Sequence, residues 1–544
     1  MQGLMMDLPL TLALIMRHGE RAHAQQEIVS VTADQPRHRY TYADCFRRVR
    51  RLANVLDALG ASPDARIGTL AWNDYRHLEL YYAISCSGRV CHTINPRLFE
   101  AQIEYIINHA ENEFVFVDVA FVERLEAVAA RCPTVRGYIV LTDEAHMPAT
   151  SLPNVHCYET LLAGASERYT WPEFDERRAS GLCYTSGTTG NPKGVLYNHR
   201  STVLLAYASA LPDTVCLSAT DGVLPIVPMF HVNAWGLPFA SVLVGAKLVF
   251  PGPKLSVPAE LVDLITREHV TVSAGVPTVC LPLLQYARER GCSLKPLQRF
   301  VIGGSACPLS MMQEFRDAHG VRVLHAWGMT EMSPLGSVNA PTSRTAGLAG
   351  DEEEPYLLSQ GRPIPGVEMK ITDEEDRELP WDGQASGALK TRGLWVSRDY
   401  YRMDGKGDAH GADGWFTTGD ICSIDPQGFM RITDRAKDVI KSGGEWISSI
   451  DLENAAMGHP EVQEAAVIGV PHPKWQERPL LLVVRRPGAG ITGPALIDWL
   501  GSRVAKWWLP DAVEFVDELP HTATGKLSKL ELRRRFADYQ LPGG

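Results

Sequence analysis

The stretch from Tyr184 to Arg200, "YTSGTTGNPKGVLYNHR", sets Thr185, Ser186, Thr188 and Thr189 among Gly187, Gly190 and Gly194, with a single Lys193. Small hydroxyl side chains and glycines let backbone N–H groups and hydroxyls converge on one anion, and a lysine supplies the counter-charge. A phosphate chain is the guest that such a loop suits. A Walker-type loop needs Gly directly before Lys, Ser or Thr directly after it, and a helix to follow. Here Pro192 precedes Lys193, Gly194 follows it, and "VLYNHR" opens with residues that suit a strand. The sequence therefore describes a phosphate loop without a helix dipole behind it. Taken alone, a cluster of Gly, Ser and Thr also fits a plain surface turn.

Six further stretches keep the loop company: "PMFHVNAWG" (228–236), "GGSA" (303–306), "HAWGMTEMSP" (325–334), "TTGD" (417–420), "DRAKDVIKSGGEWIS" (434–448) and "LPHTATGKLSK" (519–529). In this order and spacing they resemble the adenylate-forming superfamily of acyl-CoA synthetases, luciferases and peptide-synthetase adenylation domains, over nearly the whole chain. Within it, "PMFHVNAWG", "IKSGGEWISS" and "HPKWQERPL" look most like the fatty acyl-CoA synthetases. "HAWGMTEMSPLG" is similar to the branch that includes 3-methylthiopropanoate–CoA ligases and medium-chain relatives.

The resemblance implies an acid–thiol ligase that uses ATP, Mg²⁺ and CoA as co-substrate. A carboxylate is a poor electrophile, so it attacks the α-phosphate, pyrophosphate leaves, and the acyl-AMP anhydride then accepts the thiol. Two anions meet in the first step, and cations must stand where charge develops. By resemblance, Thr185, Ser186, Gly187, Thr188, Thr189 and Lys193 hold the β and γ phosphates, Thr330 touches the α-phosphate, and Glu331 ligates Mg²⁺. Nucleotide contacts are likewise implied for Gly304, Ser305, Ala306, Ala326, Gly328 and Met329. Trp327, commonly Tyr in the family, would stack on adenine. Asp420 would accept from the ribose hydroxyls and Arg435 donate to the same sugar. Lys526 would be the catalytic lysine at the reacting carboxylate and α-phosphate; its task is electrostatic, since the carboxylate is already ionised near neutral pH. For the second half-reaction the C-terminal unit would turn about a hinge at Asp434 to Lys437. Lys441, Gly443, Gly444, Glu445 and Trp446 would then line the CoA path.

His231, Val232 and Trp235, with Gly303 opposite, are expected to wall an acyl pocket. An amino-acid substrate would need an acidic residue there to pair with its ammonium, and none lies between Val232 and Leu237. The chain's end at Gly544, without a following carrier domain, also speaks against amino-acid activation. His231 reads as a wall of the pocket rather than a base. A luciferase-like acyl-AMP oxygenase would share every nucleotide motif, and a non-catalytic relative would be expected to have lost Lys526, Glu331 or Asp420.

To bring these residues together the chain must build an α/β fold. Runs such as "EFVFVDV" (113–119), "GYIVLT" (137–142), "AKLVF" (246–250), "VTVSAGV" (270–276) and "RFVIGG" (299–304) alternate with helical stretches such as "PAELVDLITREH" (258–269). That alternation predicts largely parallel, buried sheets. Beyond about Gly361 the texture turns to punctuated strands, a small β subdomain, and from about Arg435 a small α+β unit follows, which the resemblance implies is mobile. The reading is a large N-terminal adenylation domain at 1–434 and a rotating C-terminal domain at 435–544. "MQGLMMDLPLTLALIM" lacks a basic n-region and is expected to be a packed helix rather than a signal peptide. Gly222 to Ala246 lacks Asp, Glu, Lys and Arg, yet Pro225, Pro228 and Pro238 interrupt it. Buried strands and cavity-lining loops are expected there, not a transmembrane segment.

With 53 basic against 64 acidic side chains the formal charge is −11, which argues against a nucleic-acid partner. Eleven cysteines without a CxxC pair fit reduced thiols of a cytoplasmic protein. The family includes homodimers, so the resemblance leaves a homodimer open.

Overall fold

The computed structural model describes residues 1, 3–185, 191–403, 409–411, 413–442, 445–522 and 526–541, with backbone alone at 445 and 446. Among them lie four sheets, of nine, seven, four and five strands. The two large sheets hold most of the parallel pairs, as the alternation of apolar runs and helices predicts. The runs read from sequence become the strands Asn112–Val117, Gly137–Val140, Lys247–Phe250, Val272–Gly275 and Arg299–Ile302, and the helix Pro258–Arg267.

The helix Tyr75–Cys86 packs between the two large sheets, touching Glu27–Ser30 of one and Arg66–Leu70, Val90–Thr93 and Ala179–Tyr184 of the other. Every one of its residues is buried. Its polar side chains therefore need partners in the interior. Arg76 pairs with Asp34 at 2.8 Å and Glu159 at 2.9 Å, and Glu79 takes Arg48 at 2.7 Å and the Tyr158 hydroxyl at 2.6 Å.

Asp74 caps this helix by accepting from the His77 N–H at 2.9 Å. Burial, then the charge of Asp118, pushes its carboxyl up to about 7. A folded-state value above the unfolded one means that protonated Asp74 stabilises the fold at low pH. The contribution is lost as pH rises toward 7, by at most about 1.4 kcal/mol per pH unit. Asparagine caps as well as aspartate but carries no charge. Asp74→Asn should therefore raise the urea midpoint above wild type by more at pH 8 than at pH 5. An unchanged gap between the two curves would refute the buried-charge account.

Two expectations need correction. The N-terminal helix spans only Leu12–Ala22, and Met1, Leu4, Met5, Met6 and Leu8 are exposed. Pro9 holds Leu8 out of the helical region, so the apolar residues before it do not join the helix, which starts after extended Thr11. The uncharged stretch after Gly222 contains the strand Gly222–Pro225 but also the buried helix Leu237–Val244, started by Pro238 in its first turn and bracketed by Gly236 and Gly245 at φ +77°. No helix among the described residues is long and apolar enough to cross a membrane.

The third sheet is antiparallel, in the order Val367–Thr372, Ser386–Gly393, Phe416–Ile424, Met430–Arg435. The fourth joins Ile440–Ser442, Glu445–Ile447, Val462–His472, Gln476–Arg485 and Ala512–Phe515, and packs with the helices Ser449–Met457, Gly493–Leu500 and Lys529–Arg535. Between the third and fourth sheets run residues 436–439.

Candidate active site

Val272–Gly275, Arg299–Ile302 and Arg322–Gly328 are neighbouring parallel strands in register, so the chain leaves all three on the same edge of the sheet. Ligand sites of open α/β sheets lie at that carboxyl edge. A cavity of about 680 Å³ opens there, and its wall includes Lys193, His231, Trp235, Glu331, Arg435 and Lys526.

The phosphate loop connects two antiparallel strands, Ala179–Tyr184 and Gly194–Asn198, with Tyr184 opposite Gly194. A strand follows the loop, as the residues after Gly194 predict. Its neck closes through Thr185 N–H to Lys193 O at 2.9 Å and Lys193 N–H to Thr185 Oγ1 at 3.1 Å. Gly194 keeps this neck slim: a Cβ would stand 3.2 Å from both the Tyr184 ring and Tyr401 Cβ, which would have to shift. Ser186, Gly187, Thr188 and Thr189 lie outside the described residues.

Gly303 and Gly304 line the cavity, while Ser305 and Ala306 do not; Ser305 is exposed. A Cβ at Gly303 would lie 2.7 Å from the Ala326 carbonyl oxygen and 3.2 Å from Trp235 Cη2. At Gly304, with φ +83°, it would lie 3.8 Å from Lys526 Cε. The C-terminal lysine thus reaches the heart of the larger domain. Burial, then the charge of Arg435, lowers Lys526 to about 8, against the pull of Asp420 and Glu331. Its backbone closes a loop with Thr522, whose N–H donates to Lys526 O at 2.7 Å.

Ala326, Trp327, Gly328, Met329, Thr330 and Glu331 all line the cavity. Gly328 is obligatory, since a Cβ would collide with the Pro334 carbonyl. Trp327 lies over Gly336 and donates its indole N–H to Asp420 Oδ2 at 3.0 Å. Asp420 sits opposite Arg435 in the third sheet and takes its Nε at 2.9 Å. Burial raises Asp420, which is 2% exposed and stands behind the indole and guanidinium that reach the cavity. Glu331, 6% exposed, accepts from the Tyr400 hydroxyl at 2.7 Å and has no ion pair among the described residues.

His231, Val232 and Trp235 also line the cavity. Burial, then Lys526 and Arg97, lowers His231 to about 3, which keeps the imidazole neutral at physiological pH. Val232, Asn233, Ala234 and Trp235 form a left-handed turn with φ between +45° and +57°, continued by Gly236 at +77°. Such backbone costs about 1–2 kcal/mol per non-glycine residue, and Val and Trp give no hint of it in the sequence. The buried surroundings compensate: Ala234 N–H reaches Pro228 O at 3.2 Å, and the Cys183 thiol lies 3.5 Å from Asn233 Oδ1.

Asp434 is buried within the strand Met430–Arg435 and accepts from the Ser449 N–H at 3.0 Å and from the Ser449 hydroxyl. Lys437 follows on the exposed connection. Lys441 is exposed and absent from the cavity wall; its N–H donates to Glu477 Oε2 at 3.0 Å. Gly443 and Gly444 lie outside the described residues, and the backbone of Glu445 and Trp446 pairs with Ser442 and Lys441. The cavity therefore holds Lys526 while Lys441 stands away from it.

The AMP-binding enzyme family matches residues 18–401 and the AMP-binding enzyme C-terminal domain matches residues 451–526. The chain is 47% identical over 541 residues to a medium-chain-fatty-acid–CoA ligase of Ectopseudomonas oleovorans, covering 99% of this chain and 98% of the relative. It is 48% identical over 538 residues to a 3-methylmercaptopropionyl-CoA ligase of Ruegeria lacuscaerulensis, covering 99% of each. Its fold matches the anthranilate CoA ligase AuaEII, solved with anthranoyl-AMP, at a TM-score of 0.88 and 24% identity over 98% of this chain and 99% of that one. Such agreement along both parts of the sequence places this chain in the family of AMP-binding enzymes.

Proposed function

We propose that this protein is an AMP-forming acyl-CoA synthetase that activates a medium- to long-chain carboxylate as acyl-AMP and passes the acyl group to CoA. The observation that carries the reading is the convergence of Lys526, Lys193 and Glu331 on one cavity whose wall also has an apolar part, with Ile226, Val227, Leu255, Val276 and Trp235.

Lys193 at the mouth of the phosphate loop attracts the triphosphate, and Lys526 stands where the carboxylate and the α-phosphate must meet. Its ammonium offsets the charge that gathers as pyrophosphate leaves. His231, neutral beside Lys526, adds no competing cation. Trp327 offers its face to the adenine, and Asp420, holding Trp327 and Arg435, turns the sugar-binding side of the cavity into a fixed surface. A buried carboxylate without an ion pair suits a hard cation, so Glu331 would hold Mg²⁺; when bound, the ion neutralises phosphate oxygens. For thioester formation the fourth sheet turns about the connection after Arg435 and exchanges Lys526 for the hairpin of Lys441. The domain division at 434/435 is part of this proposal. All eleven cysteines are free, nine of them buried, which supports a reducing, cytoplasmic setting.

A panel of straight-chain carboxylates with ATP and CoA, followed by AMP formation, tests the substrate class. kcat/KM should rise about tenfold for every two methylenes until the pocket is full, at about 0.8 kcal/mol each. Trp235→Ala should reshape this profile more than it changes the KM for ATP. A flat or falling profile with 3-methylthiopropanoate preferred would move the assignment to the sulfur substrate, the second reading that the Ruegeria relative supports.

A further inference from the structure

We propose that Tyr400 is a positioning residue that sets the metal-binding carboxylate and the phosphate-loop lysine relative to each other; this rests on the adenylation reading above. The motifs that mark the site do not include it. Its hydroxyl donates to Glu331 Oε1 at 2.7 Å, and its ring lies under the Lys193 ammonium, 4.8 Å from Nζ to the centroid. The two groups it touches come from different sheets, Lys193 beside the seven-stranded one and Glu331 in the connection between the strands Arg322–Gly328 and Leu335–Val338 of the nine-stranded one.

The surrounding backbone makes the bridge rigid. Ser397 N–H donates to Glu331 O at 2.7 Å, and Tyr401 N–H donates to Gly194 O at 2.8 Å. The segment from Ser397 to Tyr401 therefore runs from the backbone of the carboxylate to the backbone of the loop. Tyr400 lines the cavity yet is only 7% exposed, so its ring cannot swing away without repacking. One oxygen of Glu331 is occupied by the phenol, which leaves the other for a ligand. Partners that orient a metal-binding carboxylate in this way typically change metal affinity by about 10- to 100-fold. The ring face makes a second, smaller contribution through its attraction for the ammonium.

The two contributions separate by substitution. Tyr400→Phe keeps the ring beneath Lys193 and removes only the hydroxyl; Tyr400→Leu removes both. The full-length protein is titrated with ATP by calorimetry without metal, and then with Mn²⁺ in the presence of saturating ATP, following free Mn²⁺ by its electron spin resonance signal. Tyr400→Phe is expected to bind metal-free ATP within about twofold of wild type, while the Mn²⁺ concentration for half-saturation rises about tenfold. Tyr400→Leu should show the same metal defect and, in addition, about threefold weaker metal-free ATP binding. Unchanged Mn²⁺ binding in Tyr400→Phe would overturn the proposal, as would an equal loss of metal-free ATP binding in both variants, which would indicate a packing defect. Formation of octanoyl-AMP by the wild type checks the adenylation reading separately: its absence would sink that reading, whereas a silent Tyr400→Phe would sink only the role of Tyr400.

Discussion

Replacing Lys526 with alanine is expected to lower the single-turnover rate of acyl-AMP formation by about 10² to 10³ and to leave thioester formation from synthetic acyl-AMP close to wild type. The magnitude is that of removing one preorganised group from the site of developing charge. The selectivity follows from position: Lys526 lies beside Gly304 within the cavity, while Lys441 is exposed and absent from the cavity wall. The two lysines belong to one small domain and cannot both occupy the cavity in this orientation. A pH profile gives an independent reading of the same group. With Lys526 lowered to about 8 in the free protein, its ammonium is lost as pH rises through that value, so kcat/KM for adenylation should fall above pH 8. Equal loss of both half-reactions in Lys526→Ala would point to one fixed site or to a folding defect.

Asp420→Asn is expected to lower kcat/KM for ATP by about 10- to 100-fold, the loss of charge-assisted hydrogen bonds worth about 1.5–3 kcal/mol. The carboxylate has two donors of its own, the Trp327 indole and Arg435, and both reach the cavity. An amide in its place can accept through only one oxygen and must turn an NH₂ toward one of these donors. The sugar side of the site then loses its fixed geometry. Preference for ATP over 2′-deoxy-ATP and 3′-deoxy-ATP should shrink in the variant. Trp327→Phe retains a stacking face but no N–H, and should reproduce part of that loss of preference. If Asp420→Asn weakened all three nucleotides by the same factor, the residue would support the fold and not the ribose.

The parts of the site that could be read before the structure are those in which neighbours along the chain act together. Glycines, hydroxyls and one lysine within a short span announce a phosphate loop, and the residues after Gly194 announce the strand that follows it. Apolar runs of β-branched residues likewise mark the strands of the buried sheets. What escaped reading depends on partners far apart in sequence. The Trp327–Asp420 bond spans 93 positions and the Tyr400–Glu331 bond 69, and nothing local distinguishes Tyr400 from its neighbour Tyr401. Asp420 is expected to serve the ribose, and its bonds to Trp327 and Arg435, both of which line the cavity, could not be read from the sequence. Ser305 and Ala306 belong to a recognisable motif, yet of its four residues Gly303 and Gly304 are the ones that line the cavity. The left-handed turn at Val232–Trp235 opposes the preferences of its own residues, so only tertiary packing could reveal it. The N-terminal helix illustrates the converse: Pro9 was legible as a breaker, and the apolar residues before it were read as helical nonetheless.

In the proposed reaction the carboxylate attacks the α-phosphate of ATP within the cavity that Lys526 enters. Octanoate carrying heavy oxygen in both carboxylate positions tests it when incubated with the protein, ATP, Mg²⁺ and CoA, with the nucleotide and phosphate products resolved by mass spectrometry. One heavy oxygen should appear in AMP, pyrophosphate should be unlabelled, and AMP should equal octanoyl-CoA in amount. Heavy oxygen in inorganic phosphate, with ADP as the nucleotide product, would show attack at the γ-phosphate and contradict adenylation.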